Sequence, residues 1–434
     1  MFSFTNKHSK VFGYISVLFT GLGFTIVSPV LPFLVLPYSH SAHQQAFYIT
    51  LLMSVYALAA FLSAPILGSL SDHFGRRPIL IISLLGSSIG YLIFGLGNSI
   101  WMLFLGRIIE GLTAGEISTL YAYFADITEP NERTKVFGWM GALVGIGTTL
   151  GPIISGLLAE LGNSVPIFIG ALFTFLNAVY GYTFMQESLP IKKRSVDLSF
   201  SHVRPFHQLQ QLFKISSVIP LLTVGFAVWL AAGSLQSIFS QFSIDTFQWK
   251  AGLVGLSFSL IGILDIVSQL FIMPRLLKKF SEQQITRIGM CSEILAYLFI
   301  TLSGILLLPV LFLFGIICYG FGDSIFTPVF NGQLSNSVSE NQQGLVMGGT
   351  QSIQSLSRVI GPLIAGQLYA AAPVLPTVFG FLLIIFAYYY YNIKHWFHLL
   401  LRINSLYRPI KRNTVSNSSF DIFSNTAASR WTHF

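Results

Sequence analysis

The chain has 434 residues, of which 53% are hydrophobic and only 9% charged. Soluble domains carry roughly 25% charged residues, so this composition excludes a string of soluble domains and indicates a polytopic membrane protein. Lys and Arg outnumber Asp and Glu by 24 to 16, a formal +8. Whether that surplus concerns nucleic acid or membrane topology depends on where the cations sit.

A helix needs about 20 apolar residues to cross the hydrocarbon core. On that scale, spans are expected at 11–37, 46–70, 78–97, 100–126, 136–160 and 164–185. A second set follows at 216–243, 251–276, 287–308, 310–336, 344–370 and 373–393. The first run follows Lys7 and Lys10, holds Pro29 and Pro32, and is too long for a signal-peptide core, so it is expected to stay as the first span. The expected fold is an all-α membrane protein: twelve transmembrane helices in two six-helix pseudo-repeats around a central cavity. Residues 1–188 form the first bundle, 189–215 a cytoplasmic linker and 216–393 the second bundle. Within 394–434, the stretch 394–408 mixes Trp396, Phe397 and leucines with cations and reads as a short interfacial helix. The Ser-, Asn- and Thr-rich residues 413–434 read as a disordered tail.

If the spans alternate, 21 of the 24 basic residues fall on one side. Only Lys250 falls on the other, and Arg107 and Arg358 lie inside spans. The positive-inside rule then puts both termini in the cytoplasm. The basic surplus is thereby a topology signal, suited to anionic lipid rather than nucleic acid. Cys291 and Cys318 both lie in apolar stretches, so no disulfide framework or zinc site is expected.

An internal repeat supports the six-plus-six division. Gly151-Pro152-Ile153-Ile154-Ser155-Gly156 recurs 210 residues later as Gly361-Pro362-Leu363-Ile364-Ala365-Gly366, and the same offset pairs Gly138 with Gly348 and Asn131 with Asn341. Duplicated bundles are the construction of transporters that bind substrate near the midplane and rock around it.

Three stretches carry a family resemblance. The loop Gly68-Ser69-Leu70-Ser71-Asp72-His73-Phe74-Gly75-Arg76-Arg77-Pro78 resembles the signature loop of the major facilitator superfamily. Gly106-Arg107-Ile108-Ile109-Glu110-Gly111 is similar to its fourth-span motif with a membrane-embedded arginine. Gly141 to Gly156, with Gly151, Pro152 and Gly156 at its close, resembles the fifth-span motif of drug–proton antiporters. Pro29-Val30-Leu31-Pro32, Ala125-Asp126-Ile127-Thr128 and Glu132-Arg133 narrow the likeness to the tetracycline–proton antiporters. The resemblance implies proton-coupled efflux of a small drug-like or amphiphilic compound across a bacterial inner membrane, by a protein working as a monomer. It also implies that Gly68, Asp72, Gly75, Arg76, Arg77 and Asp126 belong to a latch that holds the outward-open state. There are departures: where the tetracycline pumps carry aspartates in the first and third spans, this chain has Thr20 and Gly90. Where they carry a histidine in the eighth, it has Asp265. The ninth-span acid is kept in type as Glu293.

Five acids fall well inside predicted spans: Glu110, Glu116, Asp265, Glu293 and Asp323. A charge at the bilayer centre costs roughly 2.5–3.5 kcal/mol on insertion scales. A carboxyl balanced between desolvation and a nearby cation can take up and release a proton, so these acids are the candidate proton carriers. Arg107 and Glu110 are about 60° apart around a helix and can pair, whereas Glu116 is about 180° from Arg107 and is expected to face a different neighbour. Asp323 is expected near the cavity by resemblance, and Arg358 is a candidate partner for one of the second-half acids. Phe24, Trp229, Phe326 and Phe330 are candidates for an aromatic substrate cavity.

Two other functions are open to the same sequence: import of a metabolite by proton symport, and a membrane sensor that transports nothing. An enzyme is not expected, since the chain has no GxxxxGK[ST], no HExxH and no nucleophile–base pair. No cofactor is expected, and the partners are a small organic substrate, protons and lipid.

Overall fold

The computed structural model describes residues 7–129, 132–194, 212–215 and 217–411. The spans are α1 (Lys7–Ile26), α2 (Ala42–Phe74), α3 (Arg76–Leu96), α4 (Ile100–Thr113 and Glu116–Ile127), α5 (Arg133–Leu158) and α6 (Val165–Phe184). They continue as α7 (Ile219–Phe247), α8 (Ala251–Val267, Ser268–Ile272 and Met273–Lys279), α9 (Glu282–Leu306), α10 (Pro309–Asn336), α11 (Glu340–Ala371) and α12 (Leu375–Lys411). Among the described residues there is no strand. Ten helices among the described residues are singly long and apolar enough to cross a bilayer. The other two spans are α4, whose pieces have 14 and 12 residues, and α11, which has 32 residues but is threaded with Gln, Ser and Gly. The stretch 394–408 is part of α12. The tail expected after residue 412 and most of the linker expected over 189–215 lie outside the described residues. The helices from α1 into α12 as far as Tyr388 form one compact unit.

Three expected spans are interrupted, each for a local reason. The first stops at Ile26 and resumes as short helices Leu31–Val35 and Leu36–Tyr38, because Pro29 and Pro32 have no N–H to continue the ladder. The fourth breaks at Ala114-Gly115, where the Thr113, Ser118 and Thr119 hydroxyls donate to nearby backbone carbonyls. The eighth widens into a π turn over Ser268–Ile272, just before Pro274, which cannot donate back into the preceding turn.

Lipid is as apolar as leucine, so helices associate by close packing of small residues. Within the first half, α1 packs on α5 and α3 on α4 and α6; in the second, α9 packs on α10 and α7 on α11. The α3–α4 approach is tight enough that a Cβ on Gly106 would lie 2.8 Å from the Gly90 carbonyl oxygen. Gly90 is thus a close-packing position.

The halves meet along two seams, α2 with α11 and α5 with α8. The repeated hexapeptide builds both in the same way. Gly151 packs on α1 and Gly156 on the start of α8, while Gly361 packs on α7 and Gly366 on Thr50 of α2. Each seam is made at one end only. Gly138, Gly141, Gly145, Thr149, Pro152 and Gly156 form a single stripe on α5 at helical spacing. The Thr149–Gly156 part touches α8, with Gly255 against the Pro152 carbonyl and Ser259 donating to the Thr149 carbonyl at 2.9 Å. A Cβ on Gly138, Gly141 or Gly145 would have nothing within 4 Å. On α2, Ser54 donates to the Val359 carbonyl at 2.9 Å, whereas Gly68 faces open space. The halves are therefore closed at one end and separated by a cleft at the end bearing the 68–78 loop.

Candidate functional site

The break in α4 brings two of the sequence-predicted acids to one buried cavity. Arg107 Nη1 lies 2.6 Å from Glu110 Oε2 within the first piece of α4. The guanidinium also stacks over the Tyr56 ring at 4.2 Å. Tyr91 lies in the same lining as Glu110. Glu116 begins the second piece, at a helix N-terminus where the macrodipole favours a carboxylate. Its Oε1 accepts a 2.7 Å hydrogen bond from Thr20 of α1. Its Oε2 is buried without a partner. Thr20, Phe24, Tyr56, Tyr91, Glu110 and Glu116 all line this cavity. Glu116 does have a different partner from Glu110, but it does not face away as an unbroken helix requires. The break resets the helical phase. Thr20, noted in the sequence only as a departure, holds the Glu116 carboxylate in place.

In the second half the structure brings Asp323 within electrostatic range of both Glu293 and Asp265. Glu293 is 2% exposed, packs against Gly322, and has an unpartnered Oε1. Asp323 accepts from the Thr327 hydroxyl at 3.3 Å, and Asp265 from Gln269 at 2.8 Å, beside the π turn. Arg358 is not the ion-pair partner anticipated for these acids. Among the described residues no carboxylate lies within 4.0 Å of it, and its guanidinium sits 5.5 Å from the Phe24 ring centre of α1.

Of the four cavity aromatics expected, Phe24 lines the cavity of Glu110 and Glu116, with 43% of its surface exposed. Trp229, Phe326 and Phe330 correct that expectation. They are buried inside the second half, where Phe326 stacks on Phe330 at 4.8 Å and Trp229 meets it edge-on at 6.1 Å. Their ring surfaces serve packing between helices.

The signature loop ties together helices of the first half. Arg76 pairs with Asp72 at 2.6 Å and with Asp126 at 3.2 Å. Arg77 instead donates to the Tyr182 carbonyl. Glu187, which the sequence did not single out, accepts the backbone N–H groups of Arg76 and Arg77 and so caps α3. Gly75 has φ +107°, and a Cβ there would strike the Glu187 carboxylate; this position requires glycine. None of these contacts crosses to the second half.

The closed end holds a polar bridge that the sequence did not reveal. Gln45 of α2 donates to the Pro32 carbonyl and accepts from Gln241 Nε2 of α7 at 3.2 Å. The same Gln241 Nε2 donates to Asp245, which also accepts from the Tyr369 hydroxyl of α11 at 2.8 Å. Ser240 donates to the Ser28 carbonyl at 2.7 Å. The helix signal was present, but α7 runs on to Phe247, past the residue 243 expected as its end, and so includes Asp245. Gln45→Leu removes the link across the halves, and a net hydrogen bond is worth about 0.5–1.5 kcal/mol. The closed end should then open about two- to tenfold more often. The check is faster maleimide labelling of Thr50→Cys, with Cys291 and Cys318 changed to alanine.

With this geometry in place, the comparisons with known proteins are consistent. A family model described as Major Facilitator Superfamily matches residues 13–362. The chain is 34% identical over 360 residues to the tetracycline resistance protein, class C, of Escherichia coli, covering 82% of this chain and 88% of that one. It is 29% identical over 378 residues to multidrug resistance protein 2 of Bacillus subtilis (strain 168), covering 86% and 91%. Among solved structures, the human organic anion transporter MFSD10 (TETRAN) is similar at TM-score 0.65 and 22% identity, covering 90% of this chain and 100% of that one. A D-xylose-proton symporter is similar at TM-score 0.70 and 15% identity, covering 88% and 96%. At such identities the two structures share the fold alone.

Proposed function

The chain belongs to the Major Facilitator Superfamily, and we propose that it exports a small drug-like or amphiphilic organic compound in exchange for protons. Membership makes it a multi-pass membrane transporter rather than an enzyme. The proposal adds direction, driving ion and place: efflux by alternating access from the cytoplasmic side of a bacterial inner membrane. The relatives named for tetracycline and multidrug resistance support efflux. The basic side of the chain, which includes the 68–78 loop, supports a cleft open to the cytoplasm.

The single observation that carries the reading is the cavity shared by Glu110 and Glu116. Two carboxylates in one small intramembrane space cannot both stay charged cheaply, so one proton is held in common or exchanged for a ligand. Glu116, which pairs with no cation among the described residues and has one free oxygen, is the proton acceptor in this reading; Glu110, held by Arg107, sets the field around it. Asp265, Glu293 and Asp323 are assigned to the same coupling from the other half, and the Arg76–Asp72–Asp126 network to the conformational latch. Import by symport predicts the opposite pairing of fluxes. In inverted vesicles given a panel of fluorescent compounds and tetracycline in the outer medium, an inside-acid gradient should drive substrate inward, and a protonophore should stop it. Substrate movement in the same direction as protons would overturn export.

A further inference from the structure

The cleft narrows to an apex where α2 meets α11, and Arg358 stands one residue before the Val359 carbonyl that closes that seam. Arg358 lies 18 residues into the 32-residue α11, near mid-span, where an arginine is costly unless it faces water or an opposite charge. It is exposed, and among the described residues it has no ion-pair partner. The groups in electrostatic range are Tyr56 of α2 with Tyr319 and Asp323 of α10, and Asp323 is already engaged by Thr327. The guanidinium sits over the exposed Phe24 ring across the halves, 5.5 Å from its centre. Phe24 in turn lines the cavity of Glu110 and Glu116.

We propose that Arg358 and Phe24 form a substrate clamp for an aromatic ring bearing an anionic group, such as a carboxylate or an enolate. The guanidinium is planar and presents paired donors that fit a carboxylate. The aromatic body of the ligand stacks on Phe24, which arginine already approaches face-on. Ligand binding thereby supplies a counter-charge beside Arg358, at the point where the two halves touch. A basic group on the same molecule would lie toward Glu110 and Glu116, where it competes with protons. The clamp deepens the export reading and rests on it for the direction of transport, but not for affinity.

The test uses the purified full chain in nanodiscs and two dyes with one ring system. Rhodamine B carries a carboxylate on its pendant ring, and its ethyl ester does not. Fluorescence anisotropy should show rhodamine B binding about tenfold more tightly or better, the range of a charge-assisted pair. Arg358→Gln should erase that preference, Arg358→Lys should retain part of it, and Phe24→Leu should weaken both dyes alike. Equal affinity of the wild type for the two dyes, binding of neither, or a preference that survives Arg358→Gln overturns the clamp. Efflux from energised cells separates this from the reading beneath it. Protonophore-sensitive export indifferent to the carboxylate removes the clamp and keeps the exporter. Carboxylate-selective binding without proton-driven export does the reverse.

Discussion

Glu116→Gln is expected to leave the protein in the membrane at wild-type abundance while uphill export falls at least about tenfold, the equivalent of ~1.4 kcal/mol. Gln keeps the Oε1 that accepts from Thr20, and no cation loses a partner. Substrate exchange without a proton gradient should persist, which marks lost coupling rather than lost folding. Glu110→Gln should behave differently. It strips Arg107 of the one carboxylate it pairs with among the described residues, and Arg107 Nε is already buried without a partner. Breaking such a pair costs about 3–5 kcal/mol, so abundance and thermal stability should fall together with transport. Replacing both charges, as Arg107→Met with Glu110→Leu, should recover stability and leave transport absent. Abundance by immunoblot, melting in detergent and counterflow distinguish the three variants. Full proton-driven export by Glu116→Gln would remove it as the proton acceptor.

Gly141→Trp is the second large effect. In the present conformation the new side chain starts into open space, since nothing lies within 4 Å of a Cβ there. Closing the cleft must bring this part of the α5 stripe toward α8, as Pro152 already meets Gly255 at the other end. Overpacking such a contact costs about 1–3 kcal/mol or more, so transport should drop roughly tenfold to a hundredfold with stability unchanged. The labelling of Thr50→Cys should also slow, because the closed end is held closed. Normal transport by Gly141→Trp would mean that the α5 stripe does not approach α8 during the cycle.

The span pattern was legible because hydrocarbon thickness imposes a length that apolar runs must meet, and the 210-residue repeat pointed to two related halves. The break at Ala114-Gly115 was not legible, because hydropathy measures side chains and is blind to backbone hydrogen bonds. That miss propagated to Glu116, whose expected direction depended on unbroken 100° steps. Arg107 with Glu110 was readable from i, i+3 spacing, and it formed. Trp229, Phe326 and Phe330 were misread because aromatic content at helical spacing does not distinguish a cavity wall from a packed core. Glu187 and the Gln45–Gln241–Asp245–Tyr369 bridge depend on helices distant in sequence, so no local signal could have joined them.

The joint between α5 and α8 is made of glycines, a proline carbonyl and two hydroxyls. Such a joint has almost no rotamers to freeze and no charges to strip of solvent when it parts. Its opening therefore imposes little friction of its own. The pace of the cycle passes to the glutamine bridge and to the bound molecule, which makes the turnover rate a property of the cargo as much as of the carrier.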